Sequence, residues 1–350
     1  MILVASSCGD AVSSADVSFP FDGGLVDAGL TDAGSPDAGP AWCRGVSTSE
    51  EPGADWACTE TGSCTADYLA FRGKAAQWRK PVTAVEIDKR LSDIEAGSVE
   101  VLHDAVAPDA LRDAILDKLN MRFLVEGLEG RPFGVKVVAN AETEEYRETS
   151  LLFEDPYVGT FKGLLLKPKR GRAFPGIVAI HGHGDDAAAY RDTYHGSEYP
   201  GRGYAVLMRT MRAMNIDEHE HAVTRALLLD GFNLIALRAY ETMLGVSLMR
   251  CLPDVDPDRI GLIGHSGGSS SGNLVVRLDP RVKAYVSDHQ VNWHSSGEGE
   301  PYHCETAPSL YPWHDLINDF STSETSVLQA LYGYVTGMDE IWQFFAEKLR

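Results

Sequence analysis

Basic residues are scarce in this sequence. Lys and Arg number 31 against 51 Asp and Glu, giving a formal net charge of −20. A surface of that sign repels nucleic-acid phosphates and anionic membranes, so neither is expected as a partner. The longest apolar-rich stretch, residues 222–250, is interrupted by Asp230, Arg238 and Glu241. It reads as one long packed helix rather than a membrane span. No Lys follows the glycine-serine turn near residue 268, which removes a phosphate-binding loop from consideration. The last of the eleven histidines is His314, and none follows it. Cysteine is sparse, with six in 350 residues. What is present is ordinary globular composition, 44% hydrophobic and 23% charged, with ample length for a full core.

The N-terminal residues do not read as fold. The segment Met1-Ile-Leu-Val-Ala-Ser-Ser-Cys8 is a short apolar run ending in small residues and a cysteine. It resembles the tail of a bacterial lipoprotein signal, in which the cysteine is lipidated. Residues 9–42, rich in Ala, Asp, Gly and Pro, cannot bury apolar surface and read as a flexible tether. Together they predict an extracytoplasmic protein, lipid-anchored through Cys8 or secreted, that meets a membrane only through that anchor. In an oxidising compartment disulfides are expected among Cys43, Cys58, Cys64, Cys251 and Cys304, but spacing does not fix the pairing.

Residues 43–130 form a cysteine-containing, mainly helical region. Pro108 near a first turn, with the stripe Leu111, Ile115, Leu116 and Leu119, predicts an amphipathic helix. From about residue 131 the period changes to that of strands. Short apolar runs at 176–180, 204–208, 259–263 and 282–286 suit strands buried on both faces. Their alternation with helical segments predicts an α/β fold, a mostly parallel sheet covered by helices on both faces.

Two motifs carry chemistry. Gly264-His265-Ser266-Gly267-Gly268 follows a buried strand and fits the G-x-S-x-G nucleophile elbow. A sharp strand-to-helix turn needs small residues at both ends and lifts the Ser266 hydroxyl above the sheet edge. His181-Gly182-His183-Gly184 directly follows another buried strand. Taken in order, these motifs and the intervening elements resemble the dienelactone hydrolase and acetyl xylan esterase branch of the α/β-hydrolase superfamily, over about residues 145–350. The resemblance implies a serine esterase acting on a carboxylic ester, such as an acetylated carbohydrate, without a cofactor. It implies that the backbone N–H groups of Gly267 and His183 hold the oxyanion, with His181 and Arg212 on the site wall. His265 is read as packing.

The base and acid are open at this stage. The fold places a histidine after its last strand, and this sequence has none there. His303 and His314 are the candidates for the base; Asp339 and Asp288 are the candidates for the acid. Two rival readings remain: a non-catalytic ligand-binding lipoprotein on the same fold, and a metallo-hydrolase using His181, His183 and Asp185 as ligands.

Overall fold

The structure is a computed structural model that describes residues 43, 46–50, 71–214, 217–288, 306–330 and 337–349. Nine strands are described: β1 (Val46–Glu50), β2 (Phe133–Glu142), β3 (Tyr146–Asp155), β4 (Gly159–Pro168), β5 (Phe174–Ile180), β6 (Ala205–Arg209), β7 (Val255–Gly264), β8 (Val282–Ser287) and β9 (Ser326–Gln329). They form one sheet of order β1-β2-β3-β4-β6-β5-β7-β8-β9. From β6 across β5, β7 and β8 to β9 every pair is parallel, while β2, β3, β4 and β6 pair antiparallel. The parallel half is apolar on both faces, as the short runs predicted. In β5 and β7, Ile177, Val178, Ala179, Ile180, Leu262 and Ile263 are all fully buried.

Helices cover both faces. On one side lie α2 (Pro108–Lys118), α3 (Arg122–Val125), α5 (Asp217–Leu229), α6 (Leu234–Cys251), α7 (Gly267–Leu278) and α8 (His314–Asn318); on the other lie α4 (Ala187–Thr193) and α9 (Met338–Lys348); α1 (Ala84–Glu95) packs on α5 through Ile87, Leu91 and Leu228. Leu111, Ile115 and Leu116 of α2 share one apolar core with α6 and α7, so the N-terminal helices pack onto the main sheet. The single helix expected over 222–250 is two. Gly231 adopts φ +78° between α5 and α6, and a Cβ there would stand 2.3 Å from the Lys80 carbonyl oxygen. Only glycine fits a left-handed turn pressed that closely on another backbone.

Strand β1 was not foreseen, because Val-Ser-Thr-Ser-Glu has little apolar content. It pairs parallel with β2 at the sheet edge. Beside it Cys43 is disulfide-bonded to Cys251, at the last residue of α6. The lipoprotein-type segment 1–8, the tether 9–42, Cys58 and Cys64 lie outside the described residues.

Candidate active site

The chain crosses over at β5. Strand β6 lies on one side of it and β7 on the other, so the loops leaving β5 and β7 diverge around a crevice at their carboxyl ends. Both chemistry-bearing motifs stand there. Strand β7 ends at Gly264, and α7 begins at Gly267 with Ser266 as its N-cap. Ser266 has φ 48° and ψ −120°, a conformation that costs a non-glycine residue about 1–3 kcal/mol. The surroundings enforce it. A Cβ on Gly264 would lie 2.7 Å from the Ser269 backbone, and one on Gly268 would lie 2.5 Å and 2.6 Å from the carbonyl oxygens of Ile180 and His181. The turn is further closed by N–H groups donated from His265 to Ile180 and from Gly268 to His265. A serine held in strained backbone at the tip of a parallel strand, with the next strand's loop pressed against it, decides the architecture. The fold is an α/β sheet that carries a nucleophile elbow.

The loop after β5 lies directly on the elbow. A Cβ on Gly182 would be 2.9 Å from both Ser266 Cβ and His265 Cδ2; one on Gly267 would be 2.5 Å from His183 Cε1. The two predicted oxyanion residues, Gly267 and His183, are therefore neighbours. The loop is anchored by the Gly184 N–H, which donates to Met214 O at 3.1 Å, and by Asp186, which caps α4 through the Ala189 N–H.

His181 and Arg212 do not line the site as expected. His181 is completely buried; its Nε2 accepts the Met211 N–H at 2.8 Å, so the neutral ring donates from Nδ1 to Gly182 O. Burial, with the Arg238 and Arg209 charges nearby, lowers its pKa to about 3. Arg212 turns inward because Glu241 waits below it: its Nε donates to Glu241 Oε1 at 2.7 Å, and Nη2 to Val158 O at 2.7 Å. Glu241 also binds Arg209 at 3.1 Å. Arg238 donates to Arg212 O and pairs with Glu220, whose other oxygen lies 3.4 Å from His183 Nε2. Burial alone would raise the Glu220 pKa, but the Arg238 charge and the His183 contact hold it at about 2.

The same contacts count against the metal reading. Both ring nitrogens of His181 are spent on backbone, and Asp185 accepts the Tyr194 hydroxyl at 2.7 Å. Among the described residues no group of three His, Cys, Asp or Glu could hold a metal ion.

Of the two candidate acids, Asp288 reaches the elbow and Asp339 does not. Asp339 is exposed in the first turn of α9. Asp288, at the end of β8, is buried. Its Oδ1 accepts the Ser266 N–H at 2.7 Å and lies 2.9 Å from Ser269 Oγ; its Oδ2 contacts His265 Nδ1. His265 thus makes a polar contact as well as packing, and its ring meets that of Tyr194 with centroids 4.6 Å apart and planes tilted by 38°. Nothing in the sequence spacing announces this pair, since β8 and the elbow meet only in the folded sheet. Of the candidate bases, His303 lies outside the described residues. His314 sits at the start of α8 with Nδ1 3.0 Å from Asp315. The carbonyls of α8 bond Arg277 in the last turn of α7, the end away from Ser266.

No family model matches the chain. A curated relative, "Putative hydrolase YtaP" of Bacillus subtilis (strain 168), is 27% identical over an alignment of 189 residues that covers 49% of this chain. The match spans 63% of the length of that protein. Among solved structures, acetyl xylan esterase 1 from Thermoanaerobacterium sp. JW/SL YS485 is 13% identical, with 77% of this chain and 100% of that one covered at a TM-score of 0.48. The acetyl xylan esterase from Paenibacillus sp. R4 is 14% identical, with 74% and 99% covered at a TM-score of 0.49. Likenesses this distant carry no substrate.

Proposed function

We propose that this protein hydrolyses a carboxylic ester through an acyl-enzyme on Ser266. The observation that carries the reading is the strained Ser266 backbone, wedged between glycines that tolerate no Cβ and facing the His181–Gly184 loop. A protein keeps such strain where it positions a reacting group. In the reaction Ser266 Oγ attacks the carbonyl carbon, and the backbone N–H groups of Gly267 and His183 hold the oxyanion. The alcohol leaves, and water releases the acyl group. Losing one such donor typically costs about 2.7–4 kcal/mol of transition-state stabilisation. The acyl donor proposed first is an acetylated carbohydrate, on the motif resemblance alone.

We also propose that the protein works outside the cytoplasm. The Cys43–Cys251 disulfide supports this, because such bonds persist in oxidising compartments. Mass spectrometry of thiol-blocked protein from cell fractions checks it; a reduced pair in the native fraction would count against export.

The test of the catalytic reading is covalent labelling by a fluorophosphonate probe. Wild type is expected to label at Ser266 and Ser266→Ala is not. An unlabelled wild type overturns the serine mechanism and leaves the ligand-binding alternative.

A further inference from the structure

The loop after β5 has glycine on both sides of His183, and Gly184 adopts φ +77°. Glycine-flanked backbone is free to move unless something outside it holds it. A backbone N–H that serves an oxyanion must be in place before the charge develops. Here the residue is held through its own side chain. His183 Cε1 and Nδ1 lie 2.5 Å and 3.0 Å from the point where a Gly267 side chain would begin, so the ring covers the first residue of α7. The Met214 methyl group comes within 3.1 Å of the same point. On the other side Nε2 lies 3.4 Å from Glu220 Oε2, a charge contact rather than a close hydrogen bond. The His183 side chain is 13% exposed and that of Glu220 3%, so the pair is shielded from water that would compete for the contact.

Glu220, in α5, is itself braced. Its Oε1 takes Arg238 of α6, which also donates twice to Arg212 O, at 2.8 Å and 2.6 Å. That carbonyl precedes Ala213, a non-glycine residue at φ 55°, and the next residue is Met214. Met214 O accepts the Gly184 N–H at 3.1 Å. One guanidinium therefore fixes both the carboxylate behind the ring and the turn beside it. The carboxylate has the sign that an oxyanion would have, and the Arg238 charge offsets it. We propose that the His183 imidazole and Glu220 form a clamp that positions the His183 N–H for the oxyanion. Both are then positioning residues of the site. This rests on the serine mechanism proposed above and names what preorganises one of its two donors. The clamp exchanges no proton with the substrate. It acts by keeping the donor where the charge will appear, so its loss is felt in the transition state and not in substrate binding.

The test uses the whole chain, with 4-nitrophenyl acetate hydrolysis and inhibition by a trifluoromethyl ketone, to which a serine adds to give a bound oxyanion. The panel is Ser266→Ala, His183→Ala, His183→Gln, Glu220→Gln and the double variant His183→Ala/Glu220→Gln, each checked for folding by thermal melting. His183→Ala keeps the backbone N–H, so its loss reports the position of that donor. It is expected to lower kcat about 100-fold, the cost of misplacing a group by about 1 Å, with KM within about threefold. The Ki of the ketone should rise by the factor by which kcat/KM falls, a change that general destabilisation would not give in folded protein. His183→Gln, whose amide can still face Glu220, should recover most of the rate. The double variant should lose little more than His183→Ala, because the two side chains act as one unit. If Glu220→Gln does not fold, the two His183 variants decide. If His183→Ala stays within about threefold of wild type in kcat while Ser266→Ala is inactive, the clamp is overturned and the serine mechanism stands. A loss confined to KM, no recovery in His183→Gln, or losses that multiply in the double variant would each overturn it too. If wild type is inert to both ester and ketone, or Ser266→Ala equals wild type, the serine mechanism fails and the clamp with it.

Discussion

Ser266 stands between two walls built on opposite electrostatic plans. Behind the His181–Gly184 loop, three arginines (209, 212 and 238) and two glutamates (220 and 241) are buried and paired with one another. Each guanidinium is held by carboxylates or carbonyls from different elements, so the loop rests on a cross-braced layer. On the other side a single carboxylate, Asp288, serves the Ser266 N–H, Ser269 and His265. The first wall spreads its charge over many partners and is suited to holding backbone still. The second gathers three contacts of the elbow onto one buried carboxylate. Buried ions in a network hold the loop; a single buried carboxylate holds the elbow.

The contrast can be broken from either side. The largest stability loss is expected from Glu241→Ala, which strands Arg209 and Arg212 in the interior. Removing one member of a buried ion pair typically costs about 3–5 kcal/mol, measured by urea unfolding. Gly268→Ala comes next, because its Cβ would meet two backbone carbonyls that cannot yield. It should cost about 1–3 kcal/mol and also remove labelling of Ser266, an activity loss that Glu241→Ala would show only in proportion to unfolding.

The third prediction concerns pH. His181 in the folded protein has its pKa lowered to about 3, whereas the unfolded side chain titrates near 6.5. Below 6.5 the unfolded chain binds a proton that the native ring refuses, so stability falls as pH drops from about 6.5 towards 3. This group alone contributes about 1.4 kcal/mol per pH unit in that window. Glu220, held at about 2, adds a loss of the same sign as pH falls below about 4.5. Urea melts at pH 7.5 and 5.5 should show the drop in wild type and a shallower one in His181→Gln. The smallest effect is expected from Ser269→Ala, which removes a hydroxyl 2.6 Å from Gly264 O and 2.9 Å from Asp288. About 1 kcal/mol of stability should be lost, with a fall in kcat if Asp288 shifts.

These walls differ as much in how they could be read from sequence. The parallel strands, the elbow and the neighbourhood of Gly267 and His183 were legible, because buried strands announce themselves as short apolar runs and sharp turns as glycines. The role of Arg212 was not, since its direction depends on Glu241, brought alongside only when α6 packs. The His265–Asp288 contact was hidden for the same reason: it joins two loops across neighbouring strands. The break at Gly231 was missed because apolar periodicity runs through both α5 and α6. Edge strand β1 was missed because its residues are polar and it is held by β2 rather than by core burial.

The disulfide at Cys43 has a mechanical side. Strand β1 is a short edge strand, the kind that peels first when its end is pulled. Cys43 precedes it and is bonded to Cys251 at the foot of α6, where the helix turns back towards the start of β7. A force applied to the chain before Cys43 therefore passes through sulfur into an 18-residue helix buried against the sheet. The load enters at the end of the strands opposite Ser266, so tension on the N-terminus would reach the body of the protein without unzipping its edge or disturbing the crevice.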